Sequence, residues 1–259
     1  MDMKGMNCYQ NFGLQQNFLE HFMEYGIDCF SRLELGKLQY VSLKKWLEHS
    51  GIIEISNKDR SVSITKLGER LMAIGPYNPF TWAIIWANLA YNSVITHWYC
   101  LNVEIGTSFE PADLSVMLGE NYSLTTRKNA VGSLVATFRH SPIGSALKQG
   151  ILIDKTYTRN GWDYPHAVAL LYALYLYAER VGKRSFTFTE LVNAHNAPDG
   201  AGMSPADIYG IDVRQFREHV QGLAISYPKQ LRVSFVGNLD NIILEPTISS
   251  LDILDLAED

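Results

Sequence analysis

The chain has 259 residues, of which 47% are hydrophobic, and a formal net charge of −5 at pH 7. This length and composition can bury a substantial core in one or two domains, and the acidity argues against a histone-like coat of non-specific positive charge. Three cysteines at wide and irregular spacing, Cys8, Cys29 and Cys100, form neither a disulfide framework nor a zinc site. Since the N-terminus also lacks the apolar run of a secretory signal, we expect reduced thiols in a cytoplasmic protein.

Residues 1–78 predict helices followed by a β-hairpin. Two amphipathic segments, Gln16–Tyr25 and Lys37–Ser50, each stop at a glycine, as helices commonly do. Alternating Ile and Val side chains flank the polar turn Ser56–Arg60, and a further helix begins near Lys66. Helices followed by such a hairpin are typical of a winged helix, whose groove-reading helix presents polar side chains away from the core. On the second helix these side chains are Ser42, Lys45 and His49.

Residues 79–160 predict a buried helix and then a second winged-helix unit. The segment Phe80–Leu101 has no charged residue, but its Asn, Ser, Thr and His side chains would be costly in hydrocarbon. We therefore expect one long, buried aromatic helix and no membrane span. After it, the pattern predicts a helix over Phe109–Gly119, a longer helix over Leu124–His140 with Ser123 as N-cap, and a strand over Ile151–Tyr157.

Residues 161–259 predict a third helical unit with a hairpin and an acidic tail. Its helices are expected over Tyr164–Val181, Phe188–His195, Ser204–Tyr209 and Val213–Ile225. The segments Leu231–Phe235 and Asn241–Leu244 predict a hairpin around Gly237-Asn238. The fold class that follows is mainly α (α+β), with winged-helix or helix-turn-helix units and small β-hairpin wings packed around the long aromatic helix.

Positive charge is concentrated in one segment. Between Asn121 and Asn160 there are six Lys and Arg residues and a single acid, Asp154, whereas the chain as a whole is acidic. A cationic face of this kind most commonly binds a polyanion. Long cationic side chains supply the phosphate contacts, and small hydrogen-bonding groups can approach base edges. The candidate DNA-binding residues are Thr126, Arg127, Lys128, Asn129, Ser133, Arg139, Lys148 and, more weakly, Lys45, Lys58 and Arg60.

The longer helix of this segment divides into an apolar and a polar face. The apolar face, expected to contact the core, carries Leu124, Val131, Leu134, Val135 and Phe138. The opposite face, expected to face the groove, carries Thr126, Asn129, Ser133 and Thr137.

Motifs for catalysis are missing from the sequence. There is no phosphate-binding loop, no dinucleotide fingerprint and no G-x-S-x-G elbow, and the turn Asp199–Gly202 has no strand before it. The seven histidines are scattered without metal-ligand spacing. We therefore predict no catalytic residue, cofactor or metal. A site assembled around His97 or Cys8 is left as an alternative, as is a winged helix that only docks proteins.

Several segments resemble one bacterial family. The resemblance lies in MNCYQNFGLQQNFLEHF, LGKLQYVSLKKWLEHSGII, LTTRKNAVGSLVATFRHSPIG and MSPADIYGIDVRQFREHVQGLAISYPKQLRVSF. They are similar to the C-terminal region of phosphoadenosine-phosphosulfate-reductase-like proteins, related to a domain of unknown function associated with DNA phosphorothioate modification and phage defence. That family's sulfotransfer loop and its cysteine-rich iron–sulfur segment are absent here, so no catalytic residue carries over.

The resemblance indicates the biological system in which the protein acts and does not indicate a catalytic reaction. It suggests a non-catalytic module that binds or presents double-stranded DNA in a bacterial sulfur-modification and phage-defence system, with sulfotransfer or other modification proteins as partners. The alternative is a protein-interaction scaffold for the sulfotransfer enzyme, without direct DNA contact. The matching Arg127-Lys128-Asn129 segment coincides with the basic segment.

Overall fold

The structure, a computed structural model, describes residues 5–196, 202–236 and 239–257. Within these residues helices predominate and the strands form small antiparallel sheets, which confirms the expectation of a mainly α, α+β protein. The helices are α1 Gln16–Tyr25, α2 Cys29–Arg32, α3 Lys37–His49, α4 Lys66–Ile74, α5 Pro79–Asn92, α6 Val94–Asn102, α7 Pro111–Met117, α8 Leu124–His140, α9 Pro142–Ser145, α10 Ala167–Val181, α11 Phe188–Val192, α12 Pro205–Tyr209, α13 Val213–Ser226 and α14 Ser250–Ile253, with short 3-10 helices at Gly26–Asp28, Ala194–Asn196 and Leu254–Ala257. The strands are β1 Ile53–Ile55, β2 Val62–Ile64, β3 Ser108–Phe109, β4 Ile151–Ile153, β5 Thr156–Thr158, β6 Ser185–Thr187, β7 Leu231–Val236 and β8 Leu239–Leu244.

Side-chain caps fix the starts of the two longer helices that precede hairpins. The Ser123 hydroxyl accepts a hydrogen bond from the Thr126 amide at the start of α8. The Asp212 carboxylate accepts hydrogen bonds from the Arg214 and Gln215 amides at the start of α13. Helices α1 and α8 begin and end at the residues that the sequence predicts.

The predicted long aromatic helix is two helices. Ser93 lies between α5 and α6 in an extended conformation, and its hydroxyl accepts a hydrogen bond from the Thr96 amide. Because Ser93 caps the start of α6, α5 ends at the residue before it, Asn92. The prediction of a single helix was therefore wrong. All residues of α5 from Phe80 to Tyr91 are buried. Among the described residues, no helix has the length and hydropathy needed to cross a membrane.

The predicted strand over residues 151–157 is a hairpin. Asp154 turns the chain with a φ of 56°, so that β4 and β5 pair with Leu152 opposite Tyr157. Strand β3 pairs with the other edge of β5, with Phe109 opposite Tyr157, which gives the sheet order β3-β5-β4. The pattern of alternating apolar residues was thus assigned correctly to β structure, but the turn inside it was missed.

Two compact units divide the chain, residues 2–162 and residues 163–259. The first ends with α6, β3, α7, α8 and the β4–β5 hairpin in that order, with the short α9 inserted before the hairpin. The second contains α10, β6, α11, α13 and the β7–β8 hairpin, with the short α12 inserted, and its sheet has the corresponding order β6-β8-β7. The two units therefore share a chain topology. The first unit also holds a separate two-stranded hairpin, β1–β2, after α3.

Two expected turns lie outside the described residues. They are the hairpin turn at Gly237-Asn238 and the segment 199–201 of the glycine-rich loop. The division of the chain at residues 78/79 and 160/161 into two winged-helix units and a C-terminal helical unit with a hairpin stays a prediction.

Candidate nucleic-acid interface

Helix α8 and the β4–β5 hairpin carry the exposed cations of the basic segment. Lys128 and Arg139 are exposed on α8, and their separation in sequence places them about 20° apart around the helix and about 17 Å apart along it. Lys155 is exposed in the hairpin turn beside Asp154. Arg139 connects the two elements, because its Nη2 donates a hydrogen bond of 2.9 Å to the Tyr157 hydroxyl in β5. We call Lys128, Arg139 and Lys155 the cationic surface.

The N-terminal segment covers the middle of α8. The Leu14 amide donates a hydrogen bond of 2.9 Å to the Thr137 hydroxyl. A Cβ on Gly13 would overlap the Thr137 amide nitrogen, and a Cβ on Gly132 would overlap the side-chain oxygen of Asn11. At Gly13, where the neighbouring atoms are backbone, only a residue without a side chain can approach this closely. The first and last turns of α8 are therefore the parts of its outer face that a nucleic acid could reach.

Ser133 is not available to a ligand, which corrects the sequence prediction. Its side chain is 0% exposed, and its hydroxyl donates to the Ala130 carbonyl at 2.8 Å. Thr137 is likewise 0% exposed and donates to the Ser133 carbonyl at 3.0 Å. Small hydroxyl side chains can bond their own helix in this way and need no water. Conversely, Leu124 was expected in the core and is 54% exposed.

The remaining candidates in the first turn differ in accessibility. Lys128 is exposed, whereas Thr126, Arg127 and Asn129 are half-buried. The Thr126 hydroxyl lies 2.9 Å from the Ser123 hydroxyl at the helix cap. Nη1 of Arg127 donates to the Ser115 carbonyl at 3.2 Å, and its buried Nε has no hydrogen-bond partner among the described residues. Lys128 is thus the cation of this turn that is best placed for a phosphate.

Two cations of the basic segment lie deeper than expected. Lys148 is half-buried. Arg159 is 2% exposed, donates through Nη1 to the carbonyls of Cys100, at 2.9 Å, and Val103, and lies 5.2 Å from the ring centre of Tyr99. Arg159 therefore stabilises the end of α6 and adds no charge to the surface. Lys155, which the candidate set left out, takes its place on the exposed side, and the Asp-Lys pair between two alternating apolar runs is the sequence signal for that turn.

The first hairpin offers weaker positive charge. Lys45 on α3 forms an ion pair with Glu48 at 2.6 Å. Lys58 and Arg60 are exposed in the β1–β2 turn, together with Asp59. Hydrogen bonds from Ser56 and Ser61 lower the pKa of the Asp59 carboxyl to about 2, so it stays charged at neutral pH.

The other polar residues of α3 point inward. Ser42 is buried and donates to the carbonyls of Tyr9 and Phe12, at 2.9 and 3.0 Å. His49 is half-buried and is hydrogen-bonded to the Tyr9 hydroxyl through Nδ1. Their expected groove-facing position was wrong, because the N-terminal segment covers this side of α3.

An apolar groove lies beside the cationic surface, between α7 and the start of α8. Its volume is about 370 Å³, and its walls include Val116, which is 73% exposed, Leu124 and Val131. Arg127 and Lys128 also line it. Exposed apolar side chains of this size favour contact with a protein over contact with a phosphate backbone.

Catalytic alternatives find little support in the geometry. Burial raises the pKa of the Cys8 thiol to about 11, so the nucleophilic thiolate is not formed at neutral pH. Nδ1 of His97 in α6 lies 2.9 Å from the carbonyl of Ala90 in α5, and burial lowers the pKa of His97. In the described part of the chain, no group of three or more His, Cys, Asp or Glu side chains could hold a metal ion.

The protein belongs to the class of mainly helical proteins, and it has two units of the same helix-and-hairpin topology and a local cationic surface. No family model and no curated protein matches the chain. Two crystal structures of SspB have a similar fold. The magnesium-ion-bound structure aligns with a TM-score of 0.70 and 15% sequence identity over 98% of this chain and 88% of SspB. The other SspB structure gives 0.66 and 15% over 99% and 86%.

Proposed function

We propose that this protein is a non-catalytic module that binds or presents double-stranded DNA in a bacterial DNA sulfur-modification and phage-defence system. The observation that carries the proposal is the cationic surface, Lys128, Arg139 and Lys155, in a segment whose single acid is Asp154. Cations on a helix and an adjacent hairpin can neutralise phosphates on both sides of a groove.

The topology supports a winged-helix mode of contact. A short strand before two helices, followed by a hairpin that pairs with it in the order β3-β5-β4, is the arrangement in which α8 is the recognition helix and β4–β5 the wing. Since residues 11–14 cover the middle of α8, the first turn enters the groove with Lys128, Asn129 and Thr126. Arg139 and Lys155 then contact phosphates on the wing side, with Lys148 between them in sequence.

The biological setting is supported by SspB. SspB is a protein of a DNA phosphorothioation system. A shared fold over nearly the whole chain is consistent with a role of this protein in DNA sulfur modification, with modification-system proteins as partners. One SspB structure binds a magnesium ion. In the described part of this chain, no group of three or more His, Cys, Asp or Glu side chains could hold a metal ion.

The second candidate function is a scaffold without direct DNA contact. The apolar groove beside α7 favours it, because Val116 and Leu124 are exposed there and could bury apolar surface against a partner protein. The scaffold hypothesis predicts negligible affinity for duplex DNA, whereas the DNA-binding hypothesis predicts binding that weakens as salt increases.

The test is fluorescence anisotropy of a labelled duplex of about 30 base pairs at several salt concentrations. Each phosphate contact adds about 0.9 to the slope of log affinity against log salt, so Lys128→Ala with Lys155→Ala should reduce the slope by about 2. The matched control is Arg214→Ala with Lys229→Ala, two exposed cations of the second unit, which should leave the slope unchanged. Equal slopes for both pairs would contradict the assignment, and no binding at low salt would favour the scaffold.

A further inference from the structure

The second unit has an open edge strand beside a helix. Strand β7 pairs with β8 along its whole length, and among the described residues no strand pairs with its other edge. It is six residues long, whereas the corresponding edge strand of the first unit, β4, has three. Long exposed edges are templates for another strand, and folded proteins usually shorten or cover them.

The hydrogen-bond register shows which backbone groups of β7 point away from the sheet. The Glu245 amide donates to the Gln230 carbonyl, so the next pair, Leu231 opposite Leu244, is a non-hydrogen-bonded pair. In agreement, the Leu244 amide donates a hydrogen bond of 2.8 Å on the opposite side of β8, to the carbonyl of Arg184 just before β6. By alternation, the amide and carbonyl of Val233 and the carbonyl of Leu231 face the open edge.

A groove runs along this edge. It has a volume of about 620 Å³ and lies between β7 and the last turns of α13, with Ala224 and Ile225 on the helix side and Val233 on the strand side. Ile225 is 82% exposed, which is unusual for a large apolar side chain beside a groove. An added strand would turn every second side chain toward the side of the groove that carries Ile225.

The charge at the groove is positive although the unit is acidic. Residues 163–259 contain 7 Lys and Arg against 13 Asp and Glu. The charged residue in the groove lining is nevertheless Arg232, which is exposed on the outer face of β7, and Lys229 is exposed in the turn before it. A cross-strand carboxylate opposite Arg232 would be stabilised, and a like charge would not.

We propose that the β7 edge binds an extended acidic segment of a partner protein by strand addition. The partner's backbone pairs with Val233 and Leu231, its apolar side chains lie against Ile225, and its alternate acidic side chains lie beside Arg232. This partner surface uses none of the residues of the cationic surface, so it stands independently of DNA binding.

The experiment measures binding of two labelled peptides of about ten residues to the full chain by fluorescence anisotropy, one alternating valine with glutamate and one alternating valine with lysine. The glutamate peptide should bind about tenfold more tightly than the lysine peptide, and Arg232→Glu should reverse that preference. Arg214→Glu makes the same charge change on α13 outside the groove and should preserve the preference.

A proline tests the backbone contact. Val233→Pro removes an amide that faces the open edge, where proline leaves the ladder to β8 intact, and it should abolish binding of both peptides. Ile225→Asp changes a side chain that is already in solvent, so it should weaken binding of the glutamate peptide while the chain stays folded. Circular dichroism and melting curves check that both variants are folded.

Binding that survives Val233→Pro in a folded chain, or equal affinity for the two peptides, overturns the proposal. A dimer of the free chain that Val233→Pro dissociates would identify a second copy as the occupant and overturn it as well. Duplex binding in the same variants should equal that of the unaltered protein, which separates this result from any failure of the DNA proposal.

Discussion

Arg159 shows at the residue scale how a charge in the basic segment can serve the fold. Its guanidinium is buried against Tyr99 and donates to the carbonyls of Cys100 and Val103, at the end of α6. The last carbonyls of a helix lack partners within it, and Nη1 of Arg159 donates to two of these carbonyls, while its Nε donates to the Gln149 side-chain oxygen at 3.4 Å.

Replacing Arg159 should therefore cost stability. We expect Arg159→Ala to lower the free energy of unfolding by about 3 kcal/mol, because it leaves buried carbonyls unsatisfied. Arg159→Lys should recover only part of this loss, since lysine has no second nitrogen to donate to the Gln149 side-chain oxygen. Urea denaturation measures both changes.

The control for this prediction is Lys155→Ala in the exposed hairpin turn, which should change stability by less than about 0.5 kcal/mol. A similar loss in the two alanine variants would mean that Arg159 contributes no more than a surface charge does.

The candidate site was only partly readable from sequence for a related reason. The sequence identified the basic segment and the helix that carries Lys128 and Arg139. It could not show that Ser133 and Ser42 face inward, because a helical pattern separates polar from apolar faces but does not reveal a covering segment. In both cases the N-terminal segment provides that cover: Leu14 bonds to Thr137, and the Tyr9 carbonyl accepts from Ser42.

At the scale of elements, local chemistry explains which boundaries the sequence predicted. Glycine and capping side chains act within a few residues, so α1 and α8 were predicted with their observed ends. Ser93 and Asp154 are equally local signals, a helix cap and a turn residue, but each lies inside an otherwise continuous apolar pattern that hid it. The sheet orders depend on pairing across distant segments and could not be read from any local pattern.

The contact of the N-terminal segment with α8 gives an element-scale prediction. Gly13→Ala places a methyl group on the α8 backbone, 2.6 Å from the Ala136 carbonyl carbon, where nothing can move aside. We expect a loss of about 1–3 kcal/mol in the free energy of unfolding. Hydrogen exchange of the Leu14 amide should accelerate, because its bond to Thr137 is displaced.

Gly132→Ala is the matched control on the other side of the same contact. Its new methyl group meets only the end of the Asn11 side chain, which can rotate away. The Leu14 amide should keep its protection in this variant. Equal acceleration in both variants would show that the segment is held elsewhere than at Gly13.

For the whole molecule, net charge and local charge lead to different expectations. Residues 2–162 contain 15 Lys and Arg against 14 Asp and Glu, and residues 163–259 account for the net acidity of the chain. DNA binding in the proposed mode therefore depends on how cations are distributed within the first unit, and it does not depend on the sign of the net charge of the whole protein.

Stability should fall in mild acid because of three histidines spread over both units. Burial lowers the pKa of His49, His97 and His166 below the ordinary value of 6.5. In the unfolded chain these groups bind protons first as the pH falls, so unfolding is favoured below that value. Carboxyls with a lowered pKa, such as Asp59, lose their contribution only at much lower pH. The urea midpoint should thus be lower at about pH 5.5 than at about pH 7.5.

His49 allows the cause of this pH dependence to be tested. It is hydrogen-bonded to the buried Tyr9 hydroxyl, and Lys45 lowers its pKa further while Glu48 raises it. His49→Gln keeps a hydrogen-bond acceptor for Tyr9 but cannot be protonated in this range, so the difference between the two midpoints should shrink. Substituting the exposed His140 should leave the difference unchanged. If His49→Gln retains the full difference, the acid sensitivity arises from other groups, and His97 and His166 become the next to replace.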